Sequence, residues 1–419
     1  MCQGDGVQGV PARRRPILPE PPTRLLRNPG ILNPVTSLSD QRPAMTGTLN
    51  LDALRAEDPS GLLDGIDEAI VFDIPMTTRF RGLTRRDGVL LHGPDGWGEV
   101  APFWDYDSDE SAPWLAAGLE AATGRGPGGQ MLPDHLRARR PSGLAREVIP
   151  VNVTIPQVTP KEAQVLVRRS GATTAKVKVA GISGARGEVQ LEEDLARLEA
   201  VRAALGPQGR IRIDVNGAWD LADALALLPQ MHEAAQGLEY VEQPCGTLED
   251  MVALRASVNV PIAADESIRR STDPLAVVRH GGADLAVLKV APLGGVRRTL
   301  ALADKLGVPA VISSAVDTSV GLYRGALAAA LLPTLEHACG LGTVGLLKRD
   351  VGVPAIAPRA GHLTLRGLHV SRTLLAPAAA DEELTERWMS RMRHLVGALA
   401  ARRAREAADP STAIAGLPL

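Results

Sequence analysis

From about residue 147 the chain settles into a repeating alternation, and nothing else in the sequence limits its fold as strongly. Short runs rich in β-branched residues take turns with helical patterns. The strands read VIPVNVTI, AKVKVA, RIRIDVN, LEYVEQP, VPIAADE, LAVLKVA and PAVISS, with a last short one near residues 335–338. The helix after the second strand, LEEDLARLEAVRAAL, sets Leu191, Leu195, Leu198, Val201 and Leu205 on one face. LADALALLPQM reads as a helix broken near Pro229. Strands separated by helices pair in parallel, because each parallel crossover needs a connecting helix. Eight such units in roughly 210 residues predict an α/β architecture, a (β/α)8 TIM-type barrel over residues 147–356. The competitor, an open doubly wound sheet, is weakened by the absence of a GxGxxG phosphate fingerprint after the first strand.

Around the barrel the rhythm differs. Residues 46–146 read as an α+β capping domain. The runs IVFDIP, GVLLHG and GWGEVAPF form a small antiparallel sheet with turns at Asp87-Gly88 and Asp95-Gly96, followed by a helix over 112–122. Residues 357–419 return to the cap through the strand-like pieces GHLTLRG and LHVSRTL and a basic helix over 381–406. Residues 1–45 carry eight prolines and the run Arg13–Arg15 but no apolar h-region. They read as a disordered leader rather than a secretory signal, and Met45 is a second candidate start.

Composition removes several function classes. A net charge of −2 and 3 % aromatic residues argue against nucleic acid as a partner. No run of 18 apolar residues argues for a membrane span. Cys2, Cys245 and Cys339 are too scattered for a disulfide framework or a zinc site, which places the chain in a reducing cytoplasm. Nothing in the sequence bears on oligomeric state.

Barrel strands are buried on both faces and should be apolar. Five of these carry charge: Lys176 and Lys178 in AKVKVA, Asp214 in RIRIDVN, Glu242 in YVEQP, Asp265 with Glu266 in IAADE, and Lys289 in AVLKVA. The charges gather toward the C-terminal strand ends, where barrel active sites form. A single acid in a βα loop is ordinarily a helix cap. Three acids on successive strands, flanked on both sides by lysine strands, call for another explanation. Hard oxygen ligands without nearby His or Cys favour Mg²⁺, with Mn²⁺ as a substitute, over zinc. Strand two precedes the acids and strand six follows them, so Lys178 and Lys289 flank the ion from opposite sides. Side chains alternate along a strand, so Lys176 points the same way as Lys178 but deeper. A lysine that is partly desolvated beside another cation is a competent base near neutrality. Together these residues point to proton abstraction next to a carboxylate.

The ordered runs AKVKVA, IDVNGAWD, LEYVEQPC, PIAADESIR, VLKVAPLGG, SSAVDTSVG and HACGLGTVGLL resemble the enolase superfamily over residues 66–370, and most of all its o-succinylbenzoate synthases of menaquinone biosynthesis. Proton abstraction by a lysine or histidine beside Mg²⁺ is that superfamily's known chemistry. The resemblance implies that Asp214, Glu242 and Asp265 hold Mg²⁺, that Lys178 is the acid/base, that Lys289 stabilises the enediolate from the opposite face, and that Lys176 assists electrostatically. It also implies that RFRG, Arg79–Gly82, closes over substrate and brings Arg81 to it. Gly294, Gly295, Ser313 and Ser314, at the ends of strands six and seven, are expected to line the same pocket. The implied reaction is dehydration of 2-succinyl-6-hydroxy-2,4-cyclohexadiene-1-carboxylate. The same scaffold also serves N-acylamino acid racemases and muconate-type cycloisomerases, and a non-catalytic binding barrel is the remote alternative.

Overall fold

The computed structural model describes residues 45–137, 144–180, 188–413, 416 and 418–419. The expected leader therefore lies outside the described residues, apart from Met45.

A three-stranded antiparallel sheet opens the described chain: Glu68–Phe80, Leu83–Gly93 and Gly96–Val100, in that spatial order. The first turn differs from expectation. Asp87-Gly88 lies inside the second strand, opposite Asp73 and Phe72, and the chain reverses instead at Arg81-Gly82, both at positive φ. Gly88 is needed for space rather than for a bend, since a Cβ there would stand 2.6 Å from Ala101 and 2.8 Å from the Phe72 ring. The helix Ser108–Thr123 packs on this sheet. The side chain of Asp107 accepts from the Glu110 amide at its start, and Gly124, at φ 64°, ends it.

Seven parallel strands then follow in sequence order: Val153–Ile155, Thr174–Lys178, Arg210–Asp214, Tyr240–Glu242, Ile262–Ala264, Leu285–Lys289 and Ala310–Ser313. The ring is closed not by a strand near 335–338 but by Cys339 and Gly340, which bridge in parallel to Val151 and Ser313. The Cys339 amide donates to Pro150 O (2.7 Å) and the Gly340 amide to Ile312 O (2.8 Å). The run VIPVNVTI is also divided. Val148–Pro150 pairs antiparallel with His362–Thr364 of the returning tail, and only Val153–Ile155 joins the barrel. Inside the barrel Tyr240, Ala263, Leu285, Val287 and Val311 form a small apolar plug. Arg212, fully buried on the face it shares with Asp214, spans from Glu239 to Tyr240 Oη and Ala338 O.

Helices lie between the strands, including Pro160–Ser170 with a Thr159/Glu162 capping box. Leu221–Ala234 runs unbroken through Pro229. DPLAVVRHG yields only the short turn Ala276–Arg279, and LHVSRTL splits into His369–Val370 and a short helix, Arg372–Leu375. The terminal helix, Glu382–Ala408, buries Trp388, Met392, Leu395, Val396 and Leu399 against Trp114, Leu115 and Leu119 of the cap helix. Cys245 and Cys339 are buried free thiols. Among the described residues no helix is long and apolar enough to cross a membrane.

The cap also grips the barrel. Glu99, on the third cap strand, accepts from the amides of Thr318 and Gly321 and from Thr318 Oγ1, at the start of the helix Ser319–Leu331. Arg86, on the second, donates to Ala101 O, Ala315 O and Val316 O. These bonds hold the loop after the seventh barrel strand, in which the β-branched Val316 sits at φ 62°.

Candidate active site

The six charged residues lie side by side because the strands carrying them are neighbours in register. Lys178 stands opposite Asp214, Asp214 opposite Glu242, and Glu242 opposite Ala263, two residues before Asp265. Lys289 ends the sixth strand opposite Ser313. Asp214, Glu242 and Asp265 are all buried.

Each carboxylate is neutralised by cations of the chain itself. Lys176 Nζ reaches Asp214 Oδ2 at 2.8 Å and Glu242 Oε1 at 2.9 Å. Lys178 Nζ contacts Asp214 Oδ2 at 2.5 Å and Asn216 Oδ1 at 2.6 Å. Asp265 accepts from Lys289 Nζ at 2.5 Å and from Arg269 Nε at 2.8 Å. Among the described residues no three His, Cys, Asp or Glu side chains stand close enough together to share a metal ion. The expected convergence of the three acids on one point is therefore not what the side chains show. The strand ends are adjacent, but the carboxylates turn to ammonium groups on either side.

Burial lowers the Lys178 ammonium to about 8, with Lys176 and Arg81 pressing the same way against Asp214. Lys176 goes the other way, because Asp214 and Glu242 overcome its burial. Burial raises the Glu242 carboxyl, and the neighbouring charge of Asp214 adds to this. Asp214 is held well below the carboxylate range, its burial outweighed by Lys176 and Lys178. Burial likewise opposes ionisation of Asp265, but Arg269 and Lys289 hold it low. As a donor set the acids fit a hard divalent ion, being three buried carboxylates from adjacent strand ends with only oxygen donors among them.

A small, partly open cavity of about 20 Å³ joins Lys176, Lys178, Asp214 and Lys289 with Arg81, Ser313 and Ser314. It opens beside a larger cleft of about 670 Å³, lined by Arg79–Gly82, Lys178 and Asn216. Arg81 stacks on Phe103, its guanidinium carbon 5.0 Å from the ring centroid. Ser314 Oγ donates to Gly340 O at 2.7 Å.

Gly294 and Gly295 line neither space. A Cβ on Gly294 would meet Leu419, and one on Gly295 would meet the Glu120 carboxylate, so this pair packs the loop against the cap helix and the chain's last residue. Phe80, within the expected RFRG segment, also lines the small cavity, as do Phe103, Thr154, Val316 and Thr343, which were missed in the sequence. Arg269, four residues after Asp265 and bonded to it, was legible in principle from the i,i+4 spacing.

Two family descriptions match the chain: "Enolase C-terminal domain-like" over residues 159–369 and "Enolase N-terminal domain-like" over residues 71–122. The o-succinylbenzoate synthase of Thermobifida fusca is 48 % identical over 77 % of this chain and 93 % of its own length. That of Mycolicibacterium smegmatis is 45 % identical over 79 % and 96 %. The chain belongs to the enolase superfamily. The fold of this superfamily is shared with solved structures of lower identity. Muconate lactonizing enzyme from Pseudomonas fluorescens, complexed with muconolactone, superposes with a TM-score of 0.61 at 24 % identity, covering 74 % of this chain and 98 % of its own. An N-succinyl Arg/Lys racemase from Bacillus cereus gives 0.60 at 17 % identity, covering 74 % and 96 %.

Proposed function

We propose that this enolase-superfamily enzyme is an o-succinylbenzoate synthase, a carbon–oxygen lyase of the menaquinone pathway working in the cytoplasm on a small-molecule carboxylate. The observation that carries the mechanism is that Lys178 and Lys289, from the second and sixth barrel strands, line one cavity together with Asp214. Its relatives at 48 % and 45 % identity are o-succinylbenzoate synthases, which supports the substrate expected from the sequence resemblance, 2-succinyl-6-hydroxy-2,4-cyclohexadiene-1-carboxylate.

In this reading the neutral Lys178 amine takes the proton from the carbon bearing the ring carboxylate. The electron pair moves into the carboxylate as an enediolate, which the Lys289 ammonium stabilises from the other side. The pair then returns toward the ring and expels the hydroxyl, which takes the proton back from Lys178 and leaves as water. Lysine is restored, and the ring becomes aromatic. Asp214, Glu242 and Asp265 would hold Mg²⁺ or Mn²⁺, which when bound would supply positive charge to the substrate carboxylate. Lys176, tied to Asp214 and Glu242, orients those two acids and favours their charged forms. Arg81, at the turn between cap strands, would cover the bound substrate, with Ser313 and Ser314 forming the wall opposite.

The test is a direct assay of two substrates, the cyclohexadiene and an N-succinyl amino acid. Dehydration of the first, lost with EDTA and restored by Mg²⁺ or Mn²⁺, is expected. Turnover of the amino acid without dehydration would make the chain a racemase instead. Full dehydration in metal-free buffer would show that the three acids do not act as metal ligands. Asp214→Asn or Glu242→Gln should abolish activity while leaving circular dichroism unchanged.

A further inference from the structure

A second cleft, of about 310 Å³, lies where the terminal helix meets the cap helix and the barrel segments around Arg269 and Arg298. It shares no lining residue with either space at the active site. Five arginines and three carboxylates line it. The carboxylates are largely spent. Glu110 accepts from Arg270 Nε at 2.8 Å, and Glu406 accepts from Arg402 Nε at 3.1 Å and from the Leu419 amide at 2.7 Å. Asp109 is exposed at the first turn of the cap helix. Arg269 is engaged outside the cleft, by Asp265 and Glu266.

Arg298 is left over. It is 4 % exposed, and its Nη1 is buried without a hydrogen-bond partner. Burial lowers its guanidinium to about 10, and Arg402 and Arg297 press the same way while Glu406 opposes them. A buried guanidinium without a counter-charge is costly, and a fold that keeps one gains from an anion beside it. Arg405, exposed on the terminal helix and in no ion pair among the described residues, adds a second cation to the wall.

We propose that this cleft is a binding site for an oxyanion of the phosphate class, anchored by Arg298 and completed by Arg405. A guanidinium fork matches phosphate oxygens, and the two arginines of the cleft in no ion pair among the described residues, Arg298 and Arg405, outnumber its one such carboxylate, Asp109. The cleft is large enough for a phosphate ester as well as for inorganic phosphate. The carboxylates of Asp109 and Glu110 keep the anion on the side of the terminal helix.

The experiment uses the full chain, titrated by calorimetry with inorganic phosphate and with ribose 5-phosphate, and by thermal unfolding in phosphate against chloride at matched ionic strength. Binding of one or both phosphates, with an unfolding midpoint raised over chloride, is expected, and the tighter of the two identifies the source. Arg298→Met should leave the unfolding midpoint in chloride unchanged or higher, because it removes an uncompensated buried charge, and should abolish the phosphate effect. Arg405→Ala, at an exposed position, should weaken phosphate about tenfold. Equal midpoints in phosphate and chloride with no heat of binding would overturn the proposal, as would wild-type phosphate affinity in Arg298→Met. None of these readouts depends on which reaction the barrel catalyses.

Discussion

Lys178 and Lys289 share a cavity but keep different company. Lys178 has Asp214, Asn216 and a second ammonium around it, whereas Lys289 has one partner, Asp265. If Lys178 moves the proton and Lys289 only supplies charge, Lys178→Ala should lower kcat by roughly 10³-fold or more. Lys289→Arg, which keeps the charge, should retain measurable dehydration. Racemisation of an N-succinyl amino acid, followed with solvent deuterium exchange at its α-carbon, needs a base on each face and should fail in both variants, since arginine is not deprotonated. Near wild-type dehydration in Lys178→Ala beside a dead Lys289→Arg would reverse the two roles. These residues were legible in the sequence because charge on a barrel strand is out of place. The other walls were not. Phe103, Thr154, Val316 and Thr343 are ordinary residue types in four distant segments, and only the closed fold brings them to one cavity. The glycine pair 294–295 misled because positive φ is a backbone requirement that says nothing of which neighbour approaches.

Between elements, the seam of cap and barrel is built on buried charge. Burial pushes the Glu99 carboxyl up to about 8, with the nearby Asp317 adding to it, and Asp317 is raised for the same first reason. The two acids titrate as a pair. In the folded protein they hold protons at pH values where the unfolded chain has released them. Their contribution to stability is therefore fully present below the ordinary carboxylate range and is lost as pH rises toward about 8. The unfolding free energy from urea titrations should fall between pH 5 and pH 8, by up to about 1.4 kcal/mol per pH unit for each extra proton the folded state holds. Glu99→Gln should flatten that slope, and an equally steep slope in the variant would place the effect elsewhere. Arg86→Met would leave the carbonyls of Ala101, Ala315 and Val316 without their donor, at a cost of about 2–5 kcal/mol in urea unfolding. None of this seam was read from sequence. GWGEVAPF was recognised as a strand, but a strand pattern does not say which distant helix its glutamate will cap. The alternation of strand and helix did carry the barrel, and it failed at the closing strand, where two residues suffice because both neighbours are already in place.

At the scale of the whole molecule, both spaces at the site are lined by residues from Arg79 onward, so deleting residues 2–44 should leave kcat and KM within about two-fold. A large loss in steady-state kinetics would show the opposite. Removing the terminal helix from Glu382 onward should be severe, because it uncovers the apolar face of the cap helix. Insoluble expression, or binding of a hydrophobic dye, is the expected result. The cap is thus assembled from two ends of the described chain, Glu68–Thr123 and the helix beginning at Glu382, with the barrel strands between them. For a nascent polypeptide this sets an order of events. The cap sheet and its helix leave the ribosome first, yet Trp114 and Leu119 must wait for Trp388 and Leu399. At ordinary elongation rates the delay is on the order of 10–50 s, during which a native face is a sticky one, and a chaperone that holds the early segment has a window in which to act.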